Sequence, residues 1–147
     1  MAPNGNLVHY YELVEKLRRD KHRMPLTTTD LEVLENLFSD ALLELGAVGQ
    51  EKLCFDQLEK AVTSVMQQSV GGYSVVTMIA GQGMLAFRDP KGIRPLILGR
   101  RDAMVKGPSG ALVKKPAYCV TSESSLLNFL GYEVVGDLNA GELLFGD

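Results

Sequence analysis

Apolar positions in this chain change their period near Gly71. Up to that point they recur every three or four residues. Beyond it they come in short continuous or alternating runs, so helices are expected first and strands after them. Asn4-Gly5-Asn6 reads as a turn, because both residue types tolerate positive φ. Asn6 is then the expected N-cap of a first helix with Leu7, Tyr10, Tyr11, Val14 and Leu17 inward. Residues 24–28 are expected to form a short strand. Thr29-Asp30-Leu31-Glu32 has the form of a capping box. The stripe Leu31, Leu34, Leu37, Phe38, Ala41, Leu42 and Leu45 follows, and Gly46 stops it as a C′ residue. A third helix is expected over residues 52–69, with Phe55, Leu58, Ala61, Val62, Val65 and Met66 inward.

Residues 73–80 are almost continuously apolar, as in a strand covered on both faces. Gly81-Gln82-Gly83 turns that strand into a hairpin with the next one, which begins at Met84. Residues 87–98 read as a further hairpin, closed at Asp89-Pro90-Lys91-Gly92 by a type I turn. Arg88, Asp89 and Arg94 place charge in that apolar ribbon, and charges at a buried edge are normally paired. They are read as structural, a cluster that locks a corner. Residues 100–115, rich in Lys, Gly and Pro, read as a long surface loop. A strand is expected over 117–121 and a brief helix over 123–130, capped by Ser122 and ended by Gly131. Strands over 132–138 and 142–145 flank the turn Asn139-Ala140-Gly141. Helices followed by mostly antiparallel strands predict an α+β fold, with helices layered on a sheet.

A chain of 147 residues can build one domain with a real core. With 46% hydrophobic and 22% charged residues it has ordinary globular composition. A net charge of -3 gives no reason to expect nucleic acid or a membrane as partner. No apolar run approaches a bilayer span, and no basic segment leads into an apolar one at the start; a cytoplasmic setting is the expectation. Cys54 and Cys119 offer neither a disulfide framework nor metal-ligand spacing, and are read as buried thiols. No metal site is expected.

Two small polar groups could carry chemistry. At Asn4-Gly5 a side-chain amide stands beside an unencumbered backbone N–H, the parts of an oxyanion hole. Asp30 is a carboxylate in the first turn of a helix, where the dipole favours it. A helix-entry turn and a capping acid account for both on local grounds.

Four stretches in order add a resemblance. Residues 87–98 resemble the signature of the class II glutamine amidotransferases, and within them the amidophosphoribosyltransferases of purine synthesis. Asn4-Gly5-Asn6-Leu7 is similar to that family's oxyanion segment, and Thr28-Thr29-Asp30-Leu31-Glu32 to the start of its substrate-binding helix. Thr121-Ser122-Glu123-Ser124, Leu130-Gly131-Tyr132 and Asn139-Ala140-Gly141-Glu142 resemble its distal strands and turns. The resemblance implies the C-terminal portion of a four-layer αββα N-terminal-nucleophile hydrolase sandwich, with helices outside mostly antiparallel sheets. It implies a parent enzyme that hydrolyses glutamine and transfers the ammonia to phosphoribosyl pyrophosphate, giving phosphoribosylamine. Asn4 and Gly5 would serve its oxyanion hole, and Asp30 would bind the α-amino group of glutamine.

The family pattern also has an N-terminal Cys nucleophile and a His where Pro3 stands here. Residues 1–147 are therefore expected to be a partial glutaminase domain, inactive alone, without the nucleophile segment or the phosphoribosyltransferase domain. No cofactor is implied for this segment. Mg2+ is expected in the phosphoribosyltransferase domain, some family members hold an iron–sulfur cluster, and the parent is expected to be a homo-oligomer. A stand-alone non-catalytic module of this fold, and a glutaminase segment of an asparagine synthetase, stay open as alternatives.

Overall fold

The computed structural model describes residues 1–146. Two compact units emerge: Met1–Arg94 with Asn139–Asp147, and Pro95–Leu138. The second is thus an insertion between two parts of the first.

The first unit opens with a strand, β1 (Ala2–Leu7), followed by helices α1 (Tyr10–Lys21), α2 (Asp30–Glu44) and α3 (Phe55–Gln68). Strands β2 (Gly71–Ile79), β3 (Gly83–Arg88) and, after the second unit, β7 (Leu143–Gly146) complete it. The sheet order is β1-β2-β3-β7, with every pair antiparallel. Leu7, Tyr73, Val75, Leu85 and Phe87 share a core with Leu13, Leu17, Val33, Leu34, Leu37, Phe38, Leu58, Val62 and Val65. The three helices therefore bury their stripes against one face of this sheet.

Helix α2 ends as its sequence predicts. Gly46 adopts φ +64°, its N–H donates to Leu43 O at 3.0 Å, and Ala47 N–H donates to Leu42 O at 2.9 Å. These are the two bonds of a Schellman motif, which requires the left-handed residue that glycine supplies. In α3, Leu58, Ala61, Val62 and Val65 are fully buried, whereas Phe55 at its first position is half exposed. The hairpin of β2 and β3 turns at Gly81-Gln82 as expected, with Gln82 N–H on Ile79 O at 3.0 Å.

Three expectations fail in this unit. Asn4-Gly5-Asn6 is the middle of β1 rather than a turn, paired with Ser74, Tyr73 and Gly72. Long-range pairing overrides the local preference of Asn and Gly. Consequently His9, not Asn6, precedes α1; Leu13 and Leu17 face inward, and Tyr11 is exposed. Residues 24–28 form no strand; the N–H groups of Leu26 and Thr27 go to Glu32 instead.

The second unit comprises β4 (Ile97–Lys106), β5 (Leu112–Thr121), α4 (Ser124–Phe129) and β6 (Glu133–Asp137). Its antiparallel sheet has the order β5-β4-β6. Three sequence expectations are corrected here. Residues 87–98 are not a hairpin: β3 pairs with β2 and β7, and β4 belongs to the other sheet. Residues 100–115 are not a loop but a long hairpin, closed by Gly107 N–H on Ala111 O at 2.8 Å. Its exposed charges hid the strand pattern. Lys114 pairs with Asp102 at 2.8 Å across the strands, and Arg101 lies 4.5 Å from the centroid of the Tyr132 ring. Helix α4 packs over Gly99, where an added Cβ would fall 2.6 Å from Leu127 Cδ2. Thr121, not Ser122, meets its entry: Thr121 Oγ1 accepts from Glu123 N–H at 3.1 Å.

The fold is thus α+β, with two antiparallel sheets and four helices among the described residues. No helix among the described residues is long and apolar enough to cross a membrane.

Candidate functional site

Strand β1 is an edge of its sheet, and its residues alternate between two environments. Ala2, Asn4 and Asn6 are exposed, while Pro3 and Gly5 are partly covered and Leu7 is buried. Gly5 lies on the helix side, opposite Tyr73. A side chain there is excluded: with φ +155°, its Cβ would fall 2.1 Å from Gly72 O. Asn4, opposite Ser74, shows its amide on the other face.

Backbone direction alternates as well. Val8 N–H donates to Val70 O at 2.8 Å, toward β2, whereas Leu7 N–H donates outward to Asp30 Oδ2 at 3.0 Å. In an antiparallel pair every second N–H points the same way, so Gly5 N–H shares the outward direction of Leu7 N–H. At about 3.4 Å per residue, the two N–H groups stand about 7 Å apart along the edge.

Asp30 is thereby brought to the β1 edge, two residues beyond Gly5, although more than twenty residues separate them in sequence. Its other oxygen, Oδ1, makes no hydrogen bond among the described residues. Thr29 precedes the helix as its N-cap residue but makes no side-chain cap, so the expected capping box is absent. Glu32 reaches further back instead. It accepts from Leu26 N–H, Thr27 N–H and the Thr27 hydroxyl, each at 2.7 Å. Those bonds, the Leu26 N–H foremost, hold its carboxyl below the usual range. Tyr10 closes the group by donating its hydroxyl to Thr27 O at 3.0 Å. Burial, then the charges of Glu32 and Asp30, push the Tyr10 pKa up. Sequence reading did not single out Tyr10, Thr27 or Glu32 for the site; the Glu at the third position from Thr29 was the available signal.

Asp89 stands at a second, closed centre. It is fully buried, and its carboxylate accepts backbone N–H groups from Tyr73 (3.2 Å), Lys91 (2.9 Å), Ile93 (2.9 Å) and Arg94 (3.4 Å). Its own carbonyl accepts from Gly92 (2.9 Å) and Gly141 (3.0 Å), the first of these closing the expected turn. Arg88 donates to Arg94 O at 2.6 Å and to Gly92 O at 2.7 Å. This backbone cage satisfies the charge that the sequence expectation assigned to Arg–Asp pairing.

The cysteines are elsewhere. Cys54 is exposed at the start of α3 and Cys119 is half-buried in β5, so neither is the buried thiol expected. Among the described residues no group of three or more His, Cys, Asp or Glu side chains could hold a metal ion. The second unit carries an open depression of about 380 Å³ lined by Thr121, Ser122, Glu123, Ser125, Leu126 and Phe129.

No family model matches the chain. Individual relatives do. It is 39% identical over 145 residues to the amidophosphoribosyltransferase of Escherichia coli, covering 99% of this chain and 26% of that protein. With the amidophosphoribosyltransferase of Schizosaccharomyces pombe it shares 38% over 145 residues, 99% of this chain and 25% of that one. The archaeal enzyme of that name from Archaeoglobus fulgidus is 30% identical over 142 residues, 97% of this chain and 26% of the relative. The chain spans about a quarter of the length of the curated relatives it matches, and over nearly its whole extent it is similar to one segment of amidophosphoribosyltransferases.

Proposed function

We propose that this chain is the glutamine-binding segment of an amidophosphoribosyltransferase. The parent enzyme hydrolyses glutamine and passes the ammonia to phosphoribosyl pyrophosphate, forming phosphoribosylamine for purine synthesis. The observation that carries the reading is the hydrogen bond from Leu7 N–H to Asp30, which brings the two candidate groups to one strand edge. An extended glutamine measures about 6 Å from its α-nitrogen to its amide oxygen. That matches the distance of about 7 Å along β1 between Gly5 and the residue Asp30 holds.

In this reading Asp30 binds the α-ammonium group by a charge-assisted hydrogen bond. Gly5 N–H and the Asn4 amide donate to the oxyanion that forms when a nucleophile attacks the side-chain carbonyl. Neither Cys54 nor Cys119 is that nucleophile. Arg88, Asp89 and Arg94 are structural, fixing the turn that follows β3. The segment is the C-terminal portion of an αββα sandwich of the N-terminal-nucleophile type. Mg2+ and any iron–sulfur cluster belong to parts of the parent outside this segment.

The test is made in a full-length enzyme carrying the segment. Asn4→Ala should lower glutamine-dependent turnover about 100- to 1000-fold, and Asp30→Ala should chiefly raise the KM for glutamine. Activity with added ammonia should persist in both. Loss of ammonia-dependent activity in step with the glutamine reaction, or unchanged glutamine kinetics, would overturn the assignment.

A further inference from the structure

Asp30 and Glu32 are two carboxylates on one turn of α2, but their oxygens are employed differently. Glu32 has both engaged: Oε1 by Leu26 N–H, Oε2 by Thr27 N–H and the Thr27 hydroxyl. Asp30 gives one oxygen to Leu7 N–H and keeps the other. Residues i and i+2 of a helix project about 200° apart, so the two acids do not face a common ligand. Glu32 makes no hydrogen bond to Asp30, so apart from its charge it acts on Asp30 through the backbone between them.

That backbone has little else to fix it. Residues 22–29 belong to no helix or strand, and Thr29 makes no side-chain cap. Thr27 is the knot. Its hydroxyl donates to Glu32 and so can accept the hydroxyl proton of Thr29, 2.8 Å away. Its carbonyl accepts from Tyr10, its N–H donates to Glu32, and it stands three residues before Asp30.

We infer that Glu32 is a positioning residue for Asp30. By clamping Leu26 and Thr27 it sets the first turn of α2, so that the Asp30 carboxylate meets the β1 edge with one oxygen left for an ammonium ligand. The ligand half of this inference rests on the glutamine reading proposed above; the positioning half does not.

Amide hydrogen exchange on the 147-residue chain reads the positioning directly. In Glu32→Gln the Leu26 and Thr27 amides lose an acceptor and exchange faster. Positioning requires that Leu7 also exchange about tenfold faster, although it lies in another element, while Val8, bonded to Val70, keeps its rate. A Leu7 amide that stays protected, or a uniform rise along β1, overturns the inference. The second readout is a titration with glutamine and with its analogue lacking the α-ammonium group. Glu32→Gln should raise the Kd for glutamine about tenfold and leave the analogue unaffected; equal weakening of both overturns the ligand half. If Leu7 responds as expected but the unaltered chain does not prefer glutamine to the analogue, the glutamine reading of Asp30 fails and the positioning stands. Thr27→Val, which removes the hydroxyl contacts to Glu32 and Thr29 but keeps the backbone bonds, provides both readouts at lower amplitude should Glu32→Gln not fold.

Discussion

At the scale of single residues, carboxylates define this molecule, each by what it accepts. Asp89 accepts four backbone N–H groups in a fully buried cage, so its charge is compensated by dipoles. Glu32 accepts three donors at the surface, and these lower its pKa. A lowered folded-state pKa contributes stability above the unfolded value, 4.5 for this group, and loses it as pH falls through the folded value. Urea unfolding should therefore show Glu32→Gln clearly less stable than the unaltered chain at neutral pH. The gap should close as pH falls below 4.5 and through the lowered folded-state value. A gap that widens with acid would contradict the clamp. None of these partnerships was visible in the sequence beyond the residue types. The sequence pattern Thr-x-x-Glu marked Glu32 as a capping residue, but its acceptors turned further back along the chain. Asp30 meets Leu7 only because the fold brings α2 to β1.

At the scale of elements, legibility followed burial. Helices α2 and α3 bury a regular stripe, and the pattern placed both, including the Gly46 stop. Leu58 is fully buried in α3, and its truncation leaves a cavity beside Val62, Ala61 and the sheet. Leu58→Ala should lower the free energy of unfolding by about 2–5 kcal/mol in denaturant titrations, whereas truncating half-exposed Phe55 should cost much less. Where burial was one-sided or absent, the pattern misled. Strand β1 shows two asparagines to solvent and carries a glycine that a neighbouring carbonyl makes obligatory, a composition indistinguishable from a turn. The arms of β4 and β5 carry Arg100, Arg101, Asp102, Lys106, Lys114 and Lys115, with Lys114 paired to Asp102 across the strands.

At the scale of the whole molecule, the unit Pro95–Leu138 interrupts the unit that holds the candidate site. Its two ends meet: Leu138 N–H donates to Leu96 O at 2.8 Å. On the side of the first unit, Gly141 N–H reaches Asp89 O at 3.0 Å and Arg88 N–H reaches Glu142 O at 3.0 Å. Domain insertions are tolerated where both ends of the insert lie together at such a junction. Replacing residues 95–138 by a short Gly-Ser linker should therefore leave the β1-β2-β3-β7 sheet and its three helices folded. Circular dichroism and thermal melting would check this through a retained cooperative transition; a molten or aggregated product would contradict it. The resemblance visible in the sequence spanned both units without revealing their boundary. The ribbon of residues 87–98 that carries it runs from one sheet into the other, and a continuous apolar pattern cannot show a change of sheet.

The adjoining ends also bear on the order of assembly. Strand β7 completes its sheet only by returning to β3 across residues 89–142, and loop closure costs about 0.6 kcal/mol for each doubling of loop length. Once the inserted unit has formed, with Leu96 and Leu138 held together, the effective loop shrinks to residues 89–96 and 138–142. The saving is about 1 kcal/mol in the entropy of docking β7. The insert thus acts as a folding clip: assembling it early hastens the last strand of a sheet to which it contributes no strand of its own.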